Sequence, residues 1–160
     1  MRRLFTSFIW GGVLGIAVGF AVGILVIRFF FPAPPAIDAI IAANERVIAR
    51  GTFNQADPDD PIHYGKGKVT VHANVLRLEQ DFAVGPGPKF HVYLVPKATI
   101  RKSADVKKTM YVDLGRLRAF MGAQNYRIPD GIDLSKYASV VIWSEASGVL
   151  VSPADLKFKG

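Results

Sequence analysis

The chain has 160 residues and a mass of 17.5 kDa, with 50% hydrophobic and 21% charged residues, which suits one ordinary domain and excludes a disordered tail. It has no cysteine, so disulfides, thiolate metal sites, cysteine-ligated iron–sulfur clusters, c-type haem and cysteine nucleophiles are excluded. The formal net charge of +7 is mild, and with no motif to aim it, it favours acidic partners only weakly.

No charged residue falls between Leu4 and Ile27, and Phe8 to Ile27 alone is a run of twenty. Twenty helical residues rise about 30 Å, the hydrocarbon thickness of a bilayer. A cleavable signal peptide has a shorter apolar stretch followed by a small-residue cleavage site, whereas Phe29-Phe30-Phe31-Pro32 follows here. The pattern predicts a cytoplasmic stub and an uncleaved transmembrane signal anchor over residues 1–31. Arg2 and Arg3 precede the span, so the positive-inside tendency leaves the N-terminus cytoplasmic and the remainder periplasmic or extracellular. Gly11, Gly15, Gly19 and Gly23 recur every four residues. On a helix they form a bare groove suited to a partner transmembrane helix or a second copy of the chain.

Pro32-Ala33-Pro34-Pro35 is a stiff spacer. Beyond it, Ile37, Ile40, Ile41, Val47 and Ile48 fall near a 3.6-residue repeat. They predict a short amphipathic helix over 36–50, ended by Gly51 and packed on the following domain; the alternative is a helix lying on the membrane. From 51 to 160 the texture changes to short apolar runs between Gly, Pro, Asp and Asn. Strands are predicted at 69–73, 75–82, 89–95, 110–114, 124–128, 139–143 and 148–151. Single helical turns are predicted at 114–121 and 153–156. Strand runs at this spacing define a mainly β domain, an antiparallel sandwich or barrel-like fold.

His63, His72 and His91 are the only histidines, and none pairs with another at a ligand spacing, so no metal ligands are assigned. No cofactor is predicted; non-covalent haem, with Met110 or Met121 as an axial sulfur, is the alternative to test. Asp57, Asp59 and Asp60 lack the spaced ligands and turn glycine of a calcium loop. Glu79 and Asp81 share a strand face but need a facing cleft to act as an acid/base pair. Lys97, Arg101, Lys102, Lys107 and Lys108 make 97–108 a basic loop, either solvated or set against an anionic ligand or an acidic envelope protein. Nucleic acid is not expected outside the cytoplasm. No phosphate loop, dinucleotide fingerprint, zincin helix or nucleophile elbow occurs, and no catalytic residue is assigned.

The ordered features between Gly51 and Phe158, about two-thirds of the chain, carry a resemblance. They are Gly51-Thr52-Phe53, His63 with Gly65 and Gly67, the 76–82 run, Gly85-Pro86-Gly87-Pro88 and Val92-Tyr93-Leu94. Leu114-Gly115-Arg116-Leu117, Gly122-Ala123-Gln124-Asn125-Tyr126 with Ile128-Pro129, the 139–143 run ending in Trp143, and Ala154-Asp155-Leu156 follow. The segment resembles the DM-thirteen domain, labelled electron transfer, a β-rich module of extracytoplasmic proteins. The resemblance implies a site at His63, Tyr93, Tyr126, Trp143 and Ser144. It also implies redox chemistry at a cysteine directly after the tryptophan, where this chain has Ser144. A hydroxyl forms no disulfide and no sulfenic acid. The favoured expectation is therefore a membrane-anchored binding or accessory module of the cell envelope. An electron-transfer component, as the family label implies, comes next, and a hydrolytic or other enzyme last.

Overall fold

The computed structural model describes residues 12–23, 36–38, 46–56 and 64–159. The chain divides into two units, Met1–Ala33 and Pro34–Gly160. In the first, residues 12–23 are helical (α1), with Val13, Leu14, Ile16, Val18, Phe20 and Val22 exposed. Among the described residues no helix is long and apolar enough to cross a membrane. Gly11 lies outside the described residues. Along α1, a methyl group at Gly15, Gly19 or Gly23 would meet nothing within 4 Å.

In the second unit the short apolar runs become strands because each has at least one face to bury, and β-strands at the middle of the second sheet bury both. They are β1 (Ala36–Ile37), β2 (Ala49–Thr52), β3 (Gly65–Lys66), β4 (Lys68–Val71), β5 (Val75–Leu78) and β6 (Ala83–Val84). Then come β7 (Phe90–Val95), β8 (Val112–Arg116), β9 (Gly122–Arg127), β10 (Ser139–Ser144), β11 (Val149–Asp155) and β12 (Lys157–Phe158). One sheet runs β1-β9-β5-β4-β2-β12, a second β11-β10-β7-β8, and β3 pairs with β6. All pairs are antiparallel except β1 with β9. The two larger sheets face each other across one core. Val69, Val71, Leu76 and Leu78 come from the first sheet, and Phe90, Val92, Val140 and Ile142 from the second. This is the sandwich form of the expectation; among the described residues no sheet closes into a barrel.

Several local expectations are corrected. The 36–50 segment is not one helix: its ends pair as β1 on β9 and β2 on β4, and residues 39–45 lie outside the described part. Asp38 fastens β1 by pairing with the Arg118 guanidinium and accepting from Asn125 N–H at 2.7 Å. Arg118 holds the Asp38 carboxyl below its ordinary value. The 114–121 run is strand β8 and then an irregular segment, and 153–155 are the last residues of strand β11. Pro153 is tolerated there because β11 is an edge of its sheet. The 75–82 run ends as a strand at Leu78, where Phe82 N–H turns back to Glu79 O at 3.0 Å. His72 is buried.

The expected basic loop contains a short helix, α2 (Ser103–Lys107), and straps the outer face of the second sheet. Ile100 and Val106 are buried there against Tyr93, Val95, Val141 and Trp143. Polar ties hold the strap. Ser103 Oγ accepts from Leu150 N–H at 2.9 Å, Ser139 Oγ donates to Lys97 O at 2.7 Å, and Arg101 pairs with Asp155 at 3.0 Å. Asp105 accepts from Lys97 Nζ at 2.5 Å and from the Arg101 and Lys102 N–H groups at 3.2 and 3.0 Å. Led by the lysine bond, these contacts hold its carboxyl down to about 2 from an ordinary 3.8. A lowered carboxyl stabilises the fold above its ordinary value and loses that contribution as pH falls through the folded one. Asp105→Asn is thus expected to be less stable than the parent at pH 7. Chemical denaturation should show the gap closing between about pH 4 and about pH 2; a gap independent of pH would contradict the assignment.

Candidate functional site

Alternation along the second sheet sorts its side chains onto two faces. Phe90, Val92, Leu94, Val140, Ile142 and Ser144 turn inward, while His91, Tyr93, Val141, Trp143 and Glu145 turn outward with Tyr111 and Asp113 from β8 and its approach. Register brings the outward residues together: Trp143 lies opposite His91, and Tyr93 opposite Asp113. Two irregularities flank this spot, between His91 and Tyr93 on the β8 side and between Ile142 and Trp143 on the β11 side. The first carries an extra β8 residue beside Gly115, whose φ of +114° suits glycine.

His91 Nδ1 lies 2.9 Å from Asp113 Oδ2, and its Nε2 lies 3.4 Å from Glu145 Oε2. Tyr93 Oη donates to Glu145 Oε1 at 3.1 Å, and Gly115 N–H donates to Asp113 Oδ1 at 2.8 Å. One nitrogen and two carboxylate oxygens lie within 4.8 Å of one another, so these three residues could hold a metal ion. The aromatic rings continue the cluster. Tyr93 stacks on Tyr111 with centroids 4.3 Å apart and on Trp143 at 6.3 Å, and Lys107 Nζ sits 5.8 Å from the Trp143 ring. Burial, then the Glu145 hydrogen bond and charge, push the Tyr93 phenol well above its ordinary value, so it remains a donor.

Of the residues expected to form a site, Tyr93 and Trp143 meet here. Ser144 follows Trp143 but points to the opposite face; it is buried, 3.4 Å from Pro88 O and 2.7 Å from Ser147 Oγ. Tyr126 is in the core between the sheets, bonded to Gln124 at 2.9 Å, and burial raises its phenol. His63 lies outside the described residues. Met110 and Met121 are exposed. Of the basic residues, Lys97 and Arg101 are ion-paired, Lys107 covers Trp143, and Lys102 and Lys108 are exposed. Asp113, Glu145 and Tyr111 escaped the sequence reading. The signal for His91 and Tyr93 was their two-residue spacing on one strand; the other partners depend on strand register.

An open depression of about 870 Å³ lies over β2 and β4 and competes for attention. Its polar groups already serve the fold. Thr70 donates to Glu79 at 2.6 Å, Asp81 accepts from Lys68 N–H at 3.0 Å, and Asp155 holds Arg101. The expected Glu79–Asp81 pair is divided between these structural bonds.

The second unit is thus a β-sandwich domain in which, among the described residues, the outward cluster of histidine, carboxylates and aromatics sits on the strapped sheet. The chain belongs to the family described as Electron transfer DM13, whose model matches residues 59–156. No curated protein and no solved structure matches it.

Proposed function

We propose that this protein is a single-pass membrane protein that holds its DM13 domain outside the cytoplasm as a binding module of the cell envelope. Its binding face is the outer side of the strapped sheet. The observation that carries the reading is the convergence of His91 from β7, Asp113 from β8 and Glu145 from the turn after β10 beside the half-exposed ring of Tyr111. Among the described residues the only ion pairs of Asp113 and Glu145 are with His91, so the two carboxylates outnumber the cations that answer them. The anchor is supported by the twenty-residue charge-free run and by apolar side chains exposed all round α1, a surface suited to lipid or to other helices. The glycine row on α1 suits a second copy or a partner helix. Protease added to intact spheroplasts should digest residues 36–160 and leave a membrane-protected stub; complete protection of the domain would contradict this placement.

A second reading, electron transfer as in the family's description, is favoured by one observation, the Tyr111–Tyr93–Trp143 stack beside a hydrogen-bonded carboxylate. It requires a redox partner or cofactor held without sulfur. A visible absorption band in the detergent-extracted protein, or a haem spectrum shifted on titration, would favour it. A colourless domain that leaves haem unchanged would remove it.

A further inference from the structure

We propose that His91, Asp113 and Glu145 bind a single divalent first-row transition-metal ion of the zinc, manganese or ferrous class. The proposal rests on the reading of this face as the binding face and names what it takes. Each side chain supplies one ligand atom, and the three atoms lie within 4.8 Å of one another. An ion about 2.0–2.2 Å from each donor draws such atoms to roughly 3–3.5 Å apart, a closure that rotation of the exposed Glu145 side chain supplies.

The second contacts of the carboxylates are arranged as a metal site needs them. In Glu145, Oε1 accepts from Tyr93 Oη at 3.1 Å while Oε2 faces His91 Nε2 at 3.4 Å. In Asp113, Oδ1 accepts from Gly115 N–H at 2.8 Å while Oδ2 faces His91 Nδ1 at 2.9 Å. Both Asp113 oxygens lie against His91 Nδ1, Oδ1 at 3.1 Å, while Glu145 meets Nε2, so the ion takes Nδ1 beside Asp113 and Glu145 swings to it. The Gly115 N–H on Asp113 Oδ1 is outer support of the kind that orients metal ligands.

Charge and donor chemistry set the class. Two acidic side chains gather at one imidazole, in a chain whose formal charge is +7. A divalent cation answers that local excess. One imidazole with two carboxylates is a mixed nitrogen–oxygen set. It is softer than calcium and magnesium sites and harder than the thiolate sites that this cysteine-free chain lacks. Three protein ligands leave coordination positions for water or for a ligand arriving from solvent.

The test is calorimetric titration of the untagged full chain in detergent, stripped with chelator, using ZnCl₂, MnCl₂ and, as a control, CaCl₂. One Zn²⁺ per chain is expected, with Ca²⁺ at least tenfold weaker. Asp113→Asn and Glu145→Gln should each weaken Zn²⁺ at least tenfold, and together they should abolish it. Zn²⁺ should also raise the melting temperature of the parent but not of the double variant. His91→Ala should behave likewise; should it fail to fold, the two exposed carboxylate variants carry the test. Absence of stoichiometric Zn²⁺ and Mn²⁺ binding, or undiminished binding by a folded double variant, would overturn the proposal. If the ion fails to bind while partner capture still depends on this face, the metal assignment falls and the binding face stands. Loss of both removes the face itself.

Discussion

Phe82→Ala is expected to destabilise the domain by about 3–5 kcal/mol, as phenylalanine truncation does in a closely packed core. The side chain is 1% exposed and meets Phe53 edge-on, with ring centroids 5.3 Å apart. Its backbone is equally committed. Phe82 O accepts from Gly122 N–H at 3.0 Å, joining the end of the β5 run to the start of β9. Gly67 passes so close that a methyl group there would sit 2.5 Å from Phe82 Cα, at a φ of +103°. The neighbouring chain is held by backbone rather than by mobile side chains, so the site cannot collapse to fill the void. A fall in melting temperature on the order of 10 °C or more is expected. A loss below about 1 kcal/mol would show that the 64–67 segment repacks freely.

Gln124→Leu should cost about 2–4 kcal/mol although it nearly conserves volume, because each buried polar group left without a partner costs about 1–3 kcal/mol. Gln124 is fully buried on β9. Its Nε2 donates to Ala119 O at 2.8 Å, and its Oε1 accepts from Ala119 N–H at 3.1 Å, Arg118 N–H at 3.2 Å and Tyr126 Oη at 2.9 Å. One amide thus folds the irregular 117–121 segment back onto the sheet. Leucine fills the space and answers none of these groups. Urea denaturation of the variant should show a lower midpoint with an unchanged slope; a midpoint equal to the parent's would mean that water replaces the amide.

The strands were legible where short apolar runs stood between turn residues, as in 90–95 and 139–144, whose two faces are buried in the sandwich core and under the strap. Misreadings fell where local chemistry and tertiary pairing disagree. The isoleucines of 36–50 imitate a helical stripe, yet Ile37 lies beside Ala123 and Ala49 beside Val71 in strand pairs. Pro153 reads as a strand breaker, but an edge strand asks no ladder bond of it. Helix α2 has five residues and no repeat to reveal it. Of the site, the opposed faces of Trp143 and Ser144 follow from period two alone, which sends the serine where the thiol would be away from the aromatic face. The meeting of His91 with Asp113 depends on a register shift beside Gly115 and that with Glu145 on the β7–β10 register, and one sequence does not fix a register.

The most direct measurement is photo-crosslinking in intact membranes, with a photoreactive residue placed at Tyr111 on the candidate face or at Phe158 on β12 of the other sheet. A discrete adduct is expected from position 111 and not from 158, and Asp113→Asn with Glu145→Gln should remove it. Adducts from 158 alone, or adducts at 111 that survive the double substitution, would contradict the account.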